Sequence, residues 1–509
     1  MRSRTRGGVS VARVNEATYM ERIFREDSMK LTIAARLWAS AFLVLIGTAA
    51  PATAQQDPDR LATSATEHAM AMNAKLLCSG IFVQGRDPEV HIREDLRKFP
   101  HFGWAEDFDY RVDRDGRTVT LSSPGTSPRT AGYNGDQGCA ILPKGRWRVH
   151  FTPEKVVSTL PDGDALPWPT GDILSDDPLP AEVDREAVES ALDFAFDDGL
   201  HEPDQNTRAV VVVYKGRIIG ERYAPGIPRD MPHLSWSQGK SITAALVGVL
   251  VQQGELVVEN PAPIAEWRSQ GDPRADITLA DLLHMSSGLK FNNWGIGRPR
   301  SLSSENDHFF IYFDAPNVFS HAVNRDLEHP PNTVWRYLNS DPLSVGKIVR
   351  ETVEARGESY LQFPQKYLFD RIGARHFVLE TDAWGNFIMT GYDYGTARDW
   401  ARFGLLHLWD GEWLGDRVLP RGWADFVSTP APTSEDQSYG GLFWLNRGGR
   451  YDRIPEDAYW AAGFMGQTTM IIPSRDMVVV RLGPSPARFG PYFNDFVGRI
   501  LDAVAASIP

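Results

Sequence analysis

Ser237-Gln238-Gly239-Lys240 stands at the head of an apolar helical pattern over residues 242–253 and sets a hydroxyl one helical turn from an amine. Residues three apart share a helix face, so the lysine amine can take the serine's proton. Upstream, residues 208–214 are rich in valine, Lys215-Gly216 makes a turn, and residues 217–223 read as a second strand, which predicts a hairpin. Gly254 closes the helical pattern. Ser237 is therefore expected where a sheet hands over to a long helix, at an N-terminus whose dipole favours an anion. The tetrapeptide alone decides little. Ser-x-x-Lys recurs at Ser287–Lys290, in a glycine-containing loop, and at Ser344–Lys347, inside a helical run over 343–356. A capping serine followed by a solvated lysine would give the same pattern.

Two further elements follow. Trp335-Arg336-Tyr337-Leu338-Asn339 presents a phenol and an amide two residues apart in a loop. The phenol can share a proton with a lysine, and the amide can orient that lysine or a substrate carbonyl. A second Tyr-x-Asn at Tyr492-Phe493-Asn494 shows that the pair is not diagnostic by itself. Near the C-terminus, Ala461-Ala462-Gly463-Phe464-Met465-Gly466-Gln467 precedes a predicted strand pair at 468–473 and 477–482. Its two glycines allow close backbone approach, so that N–H groups can face a ligand oxygen.

The order and spacing of these three elements resemble the serine beta-lactamase-like, penicillin-recognising family, and within it the branch of class C beta-lactamases, carboxylesterases and nylon-oligomer hydrolases. Residues 277–289 (Ile-Thr-Leu-Ala-Asp-Leu-Leu-His-Met-Ser-Ser-Gly-Leu) and 397–404 (Ala-Arg-Asp-Trp-Ala-Arg-Phe-Gly) are similar to segments common in that branch. The resemblance covers residues 183–509. It implies an α/β (α+β) fold in which an antiparallel sheet is flanked by helices and joined by a helical subdomain. It also implies an acyl-enzyme mechanism without metal or organic cofactor. Ser237 is then the nucleophile, Lys240 the base, Tyr337 the proton carrier to the leaving group, and Asn339 the residue that holds Lys240 or the acyl carbonyl. The backbone N–H groups of Ser237 and Gln467 would form the oxyanion hole, and Phe464, Met465, Gly466 and Gln467 would line the substrate site.

One departure matters. Many relatives carry Lys-Thr-Gly or a histidine-containing triplet on the last strand, whereas this chain has Phe464-Met465-Gly466. A cation there would anchor a substrate carboxylate. Its loss argues against a dedicated beta-lactamase or cell-wall carboxypeptidase and favours a neutral, apolar acyl group. Two rival chemistries are weaker. Ser235-Trp236-Ser237-Gln238-Gly239 nearly fits a nucleophile elbow, but the required late histidine is missing, since the last one is His407. No His-Glu-x-x-His occurs, and His308, His321 and His329 are too irregularly spaced for a metal ligand set.

The 509 residues suffice for two or three domains, and 42% hydrophobic content is ordinary for an enzyme with a large core. A net charge of −13 with no basic stripe disfavours nucleic acid and anionic membranes. Residues 1–54 read as a leader and export signal: Met29-Lys30 and Arg36, an apolar run over 37–46, and a small-residue site at Ala52-Thr53-Ala54. The apolar core is too short to span a bilayer comfortably, so a periplasmic or secreted protein without a stable membrane anchor is expected. Residues 55–160 form an extension domain holding both cysteines, Cys78 and Cys139, which either pair or remain buried thiols. Helix is expected over 62–77 and strands over 117–123 and 146–151. A Pro/Asp/Gly-rich linker at 161–182 precedes the hydrolase at 183–509. The expected partner is a small ester or amide, or a linear peptide. A peptidase, or a penicillin- or peptidoglycan-binding protein with little turnover, is the alternative; oligomeric state is left open.

Overall fold

A computed structural model describes residues 63–98, 103–197, 205–293, 306–485 and 489–505. The expected export signal lies outside them. Helix α1 (Ala65–Phe82) starts at a capping box in which Ser64 accepts from Glu67 N and the Glu67 carboxylate accepts from Ser64 N. It is buried from Glu67 to Ile81, which makes it a core helix and not a surface one. It packs on an antiparallel sheet in the order β1 (Asp109–Asp113), β2 (Thr118–Ser122), β3 (Arg129–Tyr133), β4 (Cys139–Ile141). Cys78 on α1 and Cys139 on β4 form a disulfide with a Cα–Cα distance of 6.1 Å. The strand expected at 146–151 is absent. Pro143 and Gly145 (φ +76°) turn the chain after β4, and residues 146–148 are exposed, with no neighbouring strand to pair them. Met70 and Leu77 of α1 and Val119 and Leu121 of β2 share one continuous core with Leu246 and Trp400 of the later chain.

The Pro-rich stretch at 161–182 is laced to the body behind it. Arg402 donates to the carbonyls of Pro169 and Gly171 and to Asp172, and Arg398 reaches the Asp172 carbonyl. Helix α2 (Arg185–Phe196), capped by Asp184, comes next. Strands β5 (Ala209–Tyr214) and β6 (Arg217–Tyr223) form the expected hairpin. β7 (His233–Leu234) leads into α3 (Gly239–Gln252). Helices α4 (Asp307–Phe313) and α5 (Ser340–Ala355) belong to the helical part, with β8 (Val378–Leu379), β9 (Asp393–Gly395) and α6 (Ala397–Leu408) after them. The last elements are β10 (Trp444–Leu445), β11 (Tyr459–Gly463), β12 (Gln467–Ile472), β13 (Met477–Leu482) and α7 (Phe489–Asp502).

The main sheet is antiparallel in the order β10-β11-β12-β13-β5-β6. Inner strand β5 is buried on both faces: Val211 and Val213 enter the core shared with α3 and α6, while Val210 and Val212 enter a second core with α2 and α7. That is the two-residue alternation of a strand sandwiched between helical layers. The two ends of this body meet, because Asp184 N donates to Ala503 O and Ala505 N to Glu182 O. A smaller sheet, β7-β9-β8, lies beside the first and ends at Ser235.

Candidate active site

β9 fixes the entry to the candidate nucleophile, Ser237. Ser235 donates its backbone N–H to the Asp393 carbonyl at 2.8 Å and its hydroxyl to the Asp393 carboxylate at 2.9 Å. The chain then turns through Trp236, held at φ +50°, a conformation rare for a bulky residue and maintained only by its surroundings. Ser237 lies in the 3-10 turn that opens α3 and is half-buried. Gly239 is required at its place, since a Cβ there would stand 1.8 Å from Asp393 Oδ2. Strand β11 runs against the same turn, and a Cβ on Gly463 would stand 1.9 Å from the Ser235 carbonyl oxygen.

Lys240 points back along the helix. Its Nζ donates to Ser237 Oγ at 3.0 Å and to the Thr390 carbonyl at 3.0 Å, and lies 4.8 Å from the centre of the Tyr337 ring. Burial drives this amine down to about 7 against the pull of the Asp393 carboxyl. Burial likewise lifts Asp393 to about 7, opposed by the Ser235 hydrogen bond and the Lys240 charge. Burial holds the Tyr337 phenol above its usual pKa, opposed by the neighbouring Ser237 hydroxyl. Trp444 (5.4 Å) and Tyr439 (5.8 Å) pack on the Tyr337 ring. Ser237, Lys240 and Tyr337 are thus brought together.

Asn339 is bonded elsewhere than to Lys240. Its Nδ2 donates to His308 Nδ1 at 2.9 Å and to Tyr312 OH at 3.1 Å, both from α4, whereas Lys240 is held by Ser237 and Thr390. Tyr312 in turn hydrogen-bonds Thr390 Oγ1 at 2.6 Å, so the amide acts one shell behind the base. Desolvation and the Lys240 charge push His308 down to about 3, so the imidazole is neutral, its Nδ1 set between Asn339 Nδ2 at 2.9 Å and Asn293 Oδ1 at 3.1 Å. Thr390, Asp393, His308 and Tyr312 carry no sequence signal of their own: each acts across a large gap in the chain.

The third element divides. Phe464, Met465 and Gly466 form the turn between β11 and β12, with Met465 at φ +62°. Phe464 is 36% exposed and meets Trp236 edge-on at 5.6 Å, beside the nucleophile. Met465 and Gln467 line a cavity of about 50 Å³ shared with Leu76, His91, Arg208 and Trp236. The Gln467 side chain is clamped to both backbone groups of Gly483. The Gly466 carbonyl accepts from buried Arg481, whose guanidinium is spent on backbone and hydroxyl oxygens beneath this turn.

The Beta-lactamase family model matches residues 195–488, more than half of the chain. The chain belongs to the beta-lactamase family. Within it, the chain is 25% identical over 326 residues to 6-aminohexanoate-dimer hydrolase of Paenarthrobacter ureafaciens, spanning 58% of this chain and 79% of that protein. A Bacillus anthracis structure named for 6-aminohexanoate-dimer hydrolase superposes with a TM-score of 0.50 at 22% identity, covering 59% of this chain and 81% of that one. A penicillin-binding protein homologue from Caulobacter crescentus gives a TM-score of 0.49 at 14% identity, covering 64% and 98%. The beta-lactamase-like fold expected from the sequence is the fold observed, a mixed α/β body with antiparallel sheets. Helix α1 and strands β1–β4 precede the matched residues.

Proposed function

We propose that this member of a hydrolase family is a serine hydrolase that cleaves a neutral ester or linear amide through an acyl-enzyme on Ser237. The observation that carries this reading is the half-buried Ser237 hydroxyl held at 3.0 Å by a buried amine whose pKa is near 7. At neutral pH much of that amine is free base, so Lys240 takes the Ser237 proton as Oγ attacks the carbonyl. Tyr337, beside the same hydroxyl, passes a proton to the leaving alcohol or amine and then helps draw one from the hydrolytic water. The oxyanion is met by the Ser237 N–H and by the N–H after Gly463, that of Phe464, because Gly463 and not Gln467 ends the strand beside the nucleophile turn.

The substrate side is aromatic and uncharged near the nucleophile. Trp236 and Phe464 stand on one side and the cluster of Tyr337, Trp335 and Trp444 on the other. The third motif offers no cation for a carboxylate, and likeness to a 6-aminohexanoate-dimer hydrolase supports a linear amide. The test is intact-protein mass spectrometry with a butyrate ester, a linear aminocaproate amide and a penicillin, product release being followed in parallel. A transient acyl mass with product from the ester or amide, absent in Ser237→Ala, is expected. A penicillin adduct that persists without turnover of the others would make the protein a penicillin-binding one instead.

A further inference from the structure

We propose that Lys75, on a helix outside the family-matched residues, is a positioning residue for this chemistry, acting through Glu380 and Tyr392 on the segment that holds Lys240. The proposal rests on the serine-hydrolase reading above. Lys75 and Glu380 form an ion pair at 2.6 Å with side chains 1% and 0% exposed. The pair is closed on every side. Glu380 Oε1 accepts from Ser79 Oγ at 2.6 Å and from Cys139 N at 2.8 Å, and Lys75 also donates to the Cys139 carbonyl. Gly138 (φ +60°) makes the approach feasible, since a Cβ there would lie 2.6 Å from Glu380 Cγ. A fully satisfied buried network of this kind is stiff.

The stiffness is delivered to the site. Glu380 N donates to the Tyr392 carbonyl, and Lys75 Nζ sits 4.7 Å over the Tyr392 ring. That ring meets Trp236 at 5.5 Å and Tyr312 at 5.1 Å. Tyr392 is held at φ +63°, a strained backbone for a bulky residue that only its packing can maintain. Residues on either side of it do the work at the base: the Thr390 carbonyl accepts from Lys240, and Asp393 accepts from Ser235 and presses on Gly239. A buried ion pair is a costly way to fill a core that apolar residues would fill as well. Here the cation and carboxylate bear directly on the turn that fixes the catalytic lysine.

The groups around the base are these. Lys240 is faced by Ser237, Tyr337, His308 and Asp393, and Asp393 by Ser235, Lys240, Glu380, Tyr312 and Tyr394. Glu380 opposes ionisation of Asp393, and Lys75 at 2.6 Å carries the compensating charge, so the pair bears on the base through its placement and not through a net charge.

The test is the double variant Lys75→Met with Glu380→Gln, which leaves no unpaired buried charge, assayed on p-nitrophenyl butyrate with active sites counted by a fluorophosphonate. The expected result is a folded protein whose kcat per titrated site falls about tenfold or more while KM stays within about twofold. Tyr392→Leu, which keeps the ion pair and removes the ring between it and the site, is expected to give the same split of kcat from KM. Wild-type kcat per site in the double variant, or wild-type kcat in Tyr392→Leu, overturns the proposal. Ser237→Ala in the same assay separates the two readings: continued turnover there defeats the serine mechanism itself. A silent Ser237→Ala beside a fully active double variant defeats only the role of Lys75.

Discussion

Two buried lysines, Lys240 and Lys75, lie on either side of Tyr392 and do opposite things. Lys75 is 1% exposed and has a carboxylate at 2.6 Å. Lys240 is 2% exposed and has a hydroxyl and a carbonyl, while the nearby Asp393 carboxylate is engaged by Ser235. What separates the structural cation from the proposed catalytic base is therefore the first hydrogen-bond partner, not burial. An amine given a carboxylate braces the fold, and one denied it gives up its proton near neutrality and becomes useful to a serine.

The sharpest way to break this contrast is to remove the base. Lys240→Met is expected to cut turnover by about four orders of magnitude. Because it deletes a buried amine that has no carboxylate of its own, it should also raise stability by about 1 kcal/mol in urea unfolding. A Lys240→Met protein that is active, or one that is badly destabilised, would erase the distinction. Next in size, Tyr337→Phe should lower kcat by about two to three orders of magnitude with the fold unchanged, because the proton loses its carrier while the ring packing on Trp444 survives. Stopped-flow measurement of acylation would register the step affected.

The opposite sign is expected at the other lysine. Lys75→Met leaves Glu380 buried without its partner and should cost about 3–5 kcal/mol of stability. A neutral result in chemical denaturation would mean that the pair is no brace. The pH dependence refines the comparison. Lys240 must be unprotonated to act, and burial has brought it from the usual lysine value down to about 7. Hence kcat/KM should climb as pH rises through about 7 and hold above it, whereas a limb near the ordinary lysine value would place the amine in water. The smallest effect belongs to the rim: Phe464→Ala should raise KM for aromatic acyl esters about three- to tenfold and leave kcat nearly unchanged.

Where local pattern and tertiary structure agree, the sequence was readable. β6 at 217–223 and β13 at 477–482 have the ends their residue patterns predict, and the Ser237 turn lies between strand and helix as expected. The site was legible as far as its chemistry is carried by neighbours in the chain, as in Ser237 with Lys240. Thr390 and Asp393 escaped because their partners lie some 150 residues away, and a carbonyl acceptor has no residue identity to read. Asn339 was found, but its direction was not, since that depends on where α4 delivers His308 and Tyr312. The strand expected at 146–151 failed for a reason visible only in space. Alternation of charged and apolar residues makes a strand when a neighbour pairs with it, and here Gly145 turns the chain away first.

The hydrogen bonds that join residues 182–184 to residues 503–505 give the hydrolase body the connectivity of a closed ring. A ring can be opened elsewhere. New ends cut at the exposed Ser269-Gln270-Gly271 turn, with residue 505 joined to residue 182 by a short peptide and residues 63–181 supplied as a separate chain, would keep the pairings of the main sheet and take α1 and β1–β4 out of the order of synthesis. Such a circular permutant would show whether the braced platform has to be made before the enzyme it supports.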